Sequence, residues 1–161
     1  MESESPVVRP AARVVLLDSD NRVLLFRVNI DDRTPFWLTP GGGLEEGEDY
    51  EEAARRELFE ETGIADVELL CCIWHRSHIF IWAGTVYDAR EHFYIARVAS
   101  GVAVSGEHRT EQERDFLREH RWWSLSEIES SEDVFVPRSL ARLLVPLVLG
   151  NYPEEPLSIE A

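Results

Sequence analysis

Gly42-Gly43-Leu44-Glu45-Glu46-Gly47-Glu48, running through Asp49-Tyr50-Glu51-Glu52-Ala53-Ala54-Arg55 into Arg56-Glu57-Leu58-Phe59-Glu60-Glu61-Thr62-Gly63-Ile64, is the stretch around which this chain is organised. A glycine-rich loop gives way at Asp49 to a run of good helix formers. Asp49 is placed to cap the first turn, and Glu52, three residues on, completes a capping-box pattern. Gly63 stands where a helix ends and the backbone turns left-handed. The reading is loop, helix, stop.

On that helix Tyr50, Ala54 and Leu58 recur at four-residue steps and form a narrow apolar stripe. Glu57, Glu60 and Glu61 fall at i, i+3 and i+4, so their carboxylates emerge together on a neighbouring face. Like charges so placed repel by about a few tenths of a kcal/mol per pair. A cation reverses that sign, and hard oxygen ligands suit Mg²⁺, with Mn²⁺ as a substitute. A solvated acidic face explains the charge run alone. It does not explain the glycine-rich entry, the isolated Glu48 and the Arg56-Glu57 pair together.

Working outward, 161 residues make one domain, 1–161, with enough chain to bury a core. The composition, 44% hydrophobic and 29% charged, is that of an ordinary globular chain, and no apolar run is long enough to span a membrane. The acidic N-terminus lacks the apolar segment of a signal peptide. Cys71 and Cys72 are adjacent, a poor geometry for a disulfide, so reduced thiols and a cytoplasmic location are expected. Net charge is −15, which argues against a nucleic-acid polymer or a membrane as partner, since both need a basic footprint. Divalent cations would reconcile that acidity with a phosphate-bearing ligand.

Residues 1–10 read as a flexible lead, and residues 12–28 as a strand hairpin turning at Asp18-Ser19-Asp20-Asn21. Arg13 and Arg27 interrupt the apolar runs. An outward-facing position on a half-buried strand accounts for them. Contact with a substrate phosphate, whose oxygens a guanidinium matches as a fork, is the second reading, and Arg27 is carried as a substrate-binding candidate. Asn29 to Pro35 is a polar loop. Phe36 to Pro40 is extended and delivers the glycines, with Trp37 serving either the core or a base-stacking platform. Gly42 and Gly43 let backbone N–H groups approach an anionic ligand.

Past the helix, Val67 to Trp74 reads as a buried strand. Ile79 to Tyr87 is an aromatic segment around a Gly84 turn. Glu91 to Val98 is a further strand, with Phe93 and Ile95 on one face and His92 and Tyr94 on the other. For His75 and His78 no third ligand is read near and the spacing is unpersuasive, so metal binding there is discounted. Residues 101–121 read as loop and short helix. Pro137 fits a first helical position, Arg138 to Leu144 carries helical apolar spacing, and Pro146 should kink or end that helix. Residues 151–161 read as a loose acidic tail.

Residues 42–64 resemble the Nudix box of the MutT-like hydrolases: Gly42, five residues, Glu48, seven residues, Arg56-Glu57-Leu58, one residue, Glu60-Glu61, one residue, Gly63-Ile64. Every specified position is filled. The resemblance implies an α/β (α+β) fold, an α/β/α sandwich with a mixed sheet and the box as loop-helix-loop. It implies metal-dependent hydrolysis of a nucleoside diphosphate linked to another moiety. Glu57, Glu60 and Glu61 would be the metal ligands, Arg56 their orienting partner and Glu48 a tie between loop and helix. The family adds a carboxylate from a later loop, upstream of an Arg-Trp element that Arg121-Trp122-Trp123 matches. Glu113 is its first candidate, with Glu111 and Glu119 behind it, and Glu57, Glu60 or Glu113 would serve as general base.

The box leaves the substrate open. The marks of the ADP-ribose and diadenosine-polyphosphate subgroups are absent where Phe80-Ile81-Trp82 stands. A small nucleotide remains: a nucleoside triphosphate, an oxidised nucleotide or a nucleotide sugar. Trp37, Trp82 and Tyr94 are available to stack a base or to pack the core. The competing class is a catalytically silent module that senses a nucleotide or ADP-ribose. A homodimer is left open.

Overall fold

The computed structural model describes residues 5–29 and 33–160, so the start of the lead, the middle of the 29–35 loop and Ala161 of the tail lie outside the described residues. The centre is fixed by two apolar runs, in β1 (Val7–Leu17) and β2 (Val23–Val28). Strand side chains alternate between faces. Val14 and Leu16 therefore enter one core, with Leu24, Phe26 and Val28, while Val15 and Leu17 enter the other, with Val23 and Leu25. Strands buried on both faces need cover on both.

The remaining strands are β3 (Phe36–Leu38), β4 (Gly41–Gly43), β5 (Leu69–Trp82), β6 (Thr85–Arg97), β7 (Leu117–Trp123), β8 (Val134–Val136) and β9 (Leu157–Ile159). The helices are α1 (Tyr50–Thr62), α2 (Glu111–Phe116), α3 (Leu125–Ser130) and α4 (Leu140–Val148). One mixed sheet runs β8-β3-β2-β1-β6-β5-β9, with β4 on β1 and β7 on β2. Ala53, Ala54 and Leu58 of α1 close one core, and Ile128, Leu140, Leu144 and Leu147 of α3 and α4 close the other, completing an α/β/α sandwich. Leu58 is fully buried. Leu58→Ala should cost about 2–5 kcal/mol through lost transfer energy and a cavity. In urea this appears as a lower midpoint at unchanged slope.

Several expectations are corrected. The lead is a strand from Val7 onward, paired in parallel with β6 from Val7↔Tyr87 to Leu17↔Arg97. Pro10 has no N–H to give that ladder, and its carbonyl accepts from the Leu44 N–H at 3.0 Å. The 12–28 hairpin has the expected turn, with Asp18 Oδ1 accepting from Asp20 and Arg22 N–H at 2.9 Å each. Its strands pair at Leu17↔Val23 and then part, β1 to β4 and β6, β2 to β3 and β7. The tail contributes β9, which adds in parallel to β5 opposite Trp74 to Arg76. Pro137 stands before α4 rather than in its first turn, and its carbonyl accepts from Leu140 N–H at 3.1 Å. Pro146 lies inside α4 without ending it, because burial of Leu144 and Leu147 around it outweighs one missing hydrogen bond.

Candidate active site

Local chemistry builds α1 first. Asp49 is its N-cap and accepts from Glu52 N–H at 2.8 Å, while Gly63 closes it at φ +77°, its N–H donating to the Phe59 carbonyl. Only the Asp49 arm of the expected capping box appears among the described hydrogen bonds. The helix packs its Ala53/Ala54/Leu58 stripe on the sheet, and this carries Glu57 and Glu61 inward as well. They are 8% and 3% exposed, rare values for carboxylates.

Two devices hold them. Gly42 has no side chain to oppose Glu57: a Cβ there would lie 2.6 Å from Glu57 Oε1. The Gly41 N–H donates to Glu61 at 3.3 Å. From a different part of the chain comes Glu113 on α2, so that carboxylate oxygens of Glu57, Glu61 and Glu113 lie within 4.8 Å of one another. The loop before α2 is pinned to the end of α1. Ser105 N–H donates to the Thr62 carbonyl at 2.8 Å, and Arg109 donates to the Glu61 carbonyl at 3.0 Å with its guanidinium 5.0 Å from the Phe26 ring. Thr110 and Glu113 then bond reciprocally, at 3.0 and 3.1 Å, as at a capped helix start.

Burial pushes the Glu61 carboxyl well above its ordinary value, and Glu57 and Glu113 push it further against the pull of Arg13. Burial likewise raises Glu57, opposed by Arg56 and aided by Glu113. Convergent, largely buried acids whose repulsion Arg56 and Arg13 offset only in part form a group that could hold a cation.

Arg56 is the clamp. Its Nε and Nη2 grip Glu48 at 2.8 and 2.9 Å, Nη2 also reaches the Gly43 carbonyl at 2.9 Å, and Nη1 donates to Glu57 at 3.0 Å and Glu60 at 3.1 Å. Loop and helix are thus joined through one guanidinium, and Glu48 also accepts the Glu45 N–H at 3.0 Å. Lysine cannot reproduce that fork. Arg56→Lys should lower divalent-metal affinity by about 10–100-fold. A Mg²⁺ titration of turnover would read this, with the melting curve as a check on the fold.

The structure regroups the carboxylates read from the helix. Glu60 faces Arg56, and Glu113 joins Glu57 and Glu61 in the described cluster. Glu119 pairs with Arg27 at 3.0 Å in an exposed contact on β7 and β2, so the Arg27 guanidinium is engaged there. Trp37 is a core residue, 4% exposed, edge-on to Trp123 at 5.1 Å and donating its indole N–H to Asp133 at 3.1 Å. Its burial corrects the base-stacking reading. Arg13 does not face outward. It donates to Glu91 at 2.9 Å and to the Thr39 carbonyl at 3.0 Å, beneath the glycine strand.

Glu91 and Arg76 were not foreseen. Glu91 is 3% exposed and bonds both Arg13 and Arg76, and these arginines overcome burial to hold its carboxyl below the ordinary value. The legible signal was an acid at the head of an apolar strand; its partners lie far away in sequence.

A family model described as NUDIX domain matches residues 7–144. An RNA pyrophosphohydrolase of Sphingopyxis alaskensis is 34% identical over 149 residues, 85% of this chain and 90% of that protein. An RNA pyrophosphohydrolase of Caulobacter vibrioides is 51% identical over 69 residues, 43% of this chain and 40% of that one. A Caenorhabditis elegans Ap4A hydrolase structure superposes with a TM-score of 0.63 at 21% identity, covering 88% of this chain and 98% of that chain. That last likeness is one of fold.

Proposed function

Because the chain belongs to the NUDIX domain family, we propose that it is a Mg²⁺-dependent pyrophosphohydrolase acting on a nucleoside diphosphate linked to a further group. The observation that carries the reading is the convergence of Glu57, Glu61 and Glu113 in a half-sequestered site beside a glycine strand. The donor set fits a hard divalent ion: all oxygen, mostly buried, and mutually repelling without a counterion. Glu57 and Glu61 would hold it, with Glu113 closing the site from α2. Bound there, such an ion neutralises phosphate oxygens and makes water a better nucleophile.

The chain's own residues do the rest. The side-chain space at Gly42 is taken by Glu57 and that at Gly43 by the Arg9 guanidinium, so a phosphate would meet Arg9 beside the glycine strand rather than bare backbone. Arg56 keeps Glu57 oriented and holds Glu48 against the loop. Glu60 is engaged by the same guanidinium, so Glu113, half-buried at the rim, is the carboxylate we assign to accept the proton of the attacking water. Attack on phosphorus in line with the bridging oxygen breaks the anhydride and releases two phosphate products. No covalent intermediate is required.

A nucleoside triphosphate, an oxidised nucleotide or a nucleotide sugar is the substrate class we favour. A second reading, a triphosphate at an RNA 5′ end, is supported by the 34% identity to the Sphingopyxis alaskensis protein. A net charge of −15 opposes a grip along a polymer, yet a single terminal triphosphate asks for no such grip. The test is a Mg²⁺-dependent product-release screen over these nucleotides, ADP-ribose, dinucleoside polyphosphates and 5′-triphosphorylated RNA, with Glu61→Gln alongside. Turnover of a small nucleotide, lost in the variant, supports the first reading. Preference for the RNA end supports the second. Silence throughout, with ligands raising the melting temperature, would establish a sensing module instead.

A further inference from the structure

A second constellation lies on the α1-facing side of the sheet. Cys72 and His75 are three residues apart on β5, and in a regular strand they would face opposite sides. They do not. The β5–β6 register shifts between Cys72 and Trp74, so that Cys72 opposes Tyr94, Trp74 opposes Phe93 and His75 opposes His92. The extra residue, Ile73, is buried with Trp74 and Phe93 in the other core. The bulge brings Cys72 and His75 to one face, together with His92 from β6. Bulges of this kind re-aim side chains and recur beside functional sites.

One ligand atom from each of Cys72, His75 and His92 lies within 4.8 Å of the other two. A tetrahedral zinc ion places neighbouring sulfur and nitrogen ligands about 3.3–3.7 Å apart. Closing the set therefore takes a shift of about 1 Å or less per side chain, with rotation of the stacked His75 ring so that its nitrogen points at the ion. His75 is exposed, so turning it costs the stack on His92 but no burial, whereas Cys72 and His92 are half-buried. His92 is sandwiched between His75 at 4.0 Å and Tyr50 at 3.5 Å between ring centroids, which fixes its plane at the start of α1. The Cys72 thiol makes a long contact, donating to the Trp74 carbonyl at 3.8 Å.

We infer that Cys72, His75 and His92 form a site for a borderline-soft divalent ion of the Zn²⁺ class, separate from the carboxylate cluster. One thiolate and two imidazoles select such an ion over Mg²⁺, while the all-oxygen set of Glu57, Glu61 and Glu113 selects the reverse. The two clusters share no residue. The exposed side beside His75 leaves a fourth position for water. Binding releases the thiol proton to solvent, forms one metal–sulfur and two metal–nitrogen bonds, and changes no oxidation state.

The test is calorimetric titration of the reduced full chain with Zn²⁺ in excess Mg²⁺, repeated with Co²⁺ while recording its absorption. One ion per chain is expected, with a thiolate-to-cobalt charge-transfer band. Cys72→Ser should abolish that band, and both Cys72→Ser and His75→Ala should weaken Zn²⁺ binding by at least about 10-fold. Each variant should keep the wild-type melting curve and Mg²⁺-dependent turnover. Failure of Zn²⁺ to bind stoichiometrically would overturn the site. So would binding that is unchanged in both variants but lost in Glu61→Gln, which would place the ion among the carboxylates.

Discussion

Glu61→Gln should lower turnover by about 10²–10⁴-fold and at the same time raise the melting temperature of the metal-free protein. The two effects have one origin. Glu61 is almost fully buried with its charge opposed by Glu57 and Glu113 nearby, so the free carboxylate costs stability. Glutamine keeps the shape and an oxygen to accept the Gly41 N–H, and removes the charge. The folded chain loses a repulsion, and the site loses a ligand. Glu57→Gln should act in the same directions, with a smaller gain in stability because Arg56 already offsets part of its charge. Steady-state kinetics and melting curves in chelator read both effects. A variant that melts lower and turns over normally would make Glu61 a structural residue.

The second large effect is a pH-dependent stabilisation by Mg²⁺. Folding raises the Glu57 and Glu61 carboxyls above the ordinary value of 4.5. Above pH 4.5 the folded chain therefore holds protons that the unfolded chain has released, and the contribution of these two groups to metal-free stability falls as pH rises through that window. Glu91 works in the opposite sense. Burial alone would raise it, but Arg13 and Arg76 hold it below 4.5, so its contribution is complete at neutral pH and is lost only on further acidification. In chelator the wild type should lose more stability between pH 5.5 and pH 8 than a Glu57→Gln/Glu61→Gln variant. That comparison cancels the opposite trend from His78, His92 and His120, whose imidazoles burial pushes down. Saturating Mg²⁺ should reverse the difference, since the ion binds the ionised site of the wild type. At 100 times its dissociation constant it adds about 2.7 kcal/mol, roughly 5–11 °C for a chain of this size. Equal Mg²⁺ shifts at both pH values would detach the ion from these carboxylates.

What could be read from the sequence was local. Asp49, Gly63 and the Tyr50/Ala54/Leu58 stripe define α1 by themselves, and the glycine entry with Arg56, Glu57 and Glu61 defines the floor of the site. Helical spacing also grouped Glu60 with them. Spacing gives the direction of a side chain and not its partner, and the partner of both Glu57 and Glu60 is the Arg56 guanidinium. Glu113 came from its position before the Arg121-Trp122 element, and the structure sets it beside the two box carboxylates.

The rest depends on partners distant in sequence. Trp37 stands next to the glycines yet points into the core behind them, because a three-residue strand sends alternate residues to opposite faces. Glu91 has its meaning only through Arg13 and Arg76. The alternation rule itself separates Cys72 from His75, and one inserted residue, invisible in the pattern, reunites them.

The parallel pairing of β1 with β6 has a consequence for synthesis on the ribosome. The apolar run of β1 is translated early, but the strand that lies along it from Val7 to Leu17 follows about 80 residues later. Until Arg97 has emerged, the Val14-Val15-Leu16-Leu17 segment lacks its β6 partner, and the core that Val15 and Leu17 enter stays open until α3 and α4 follow. A nascent chain stalled between the end of α1 and the end of β6 should therefore be held by chaperones that bind apolar segments, and it should be digested readily by protease. Release of β6 from the exit tunnel ought to lower that susceptibility, and release of α3 and α4 ought to complete the fall.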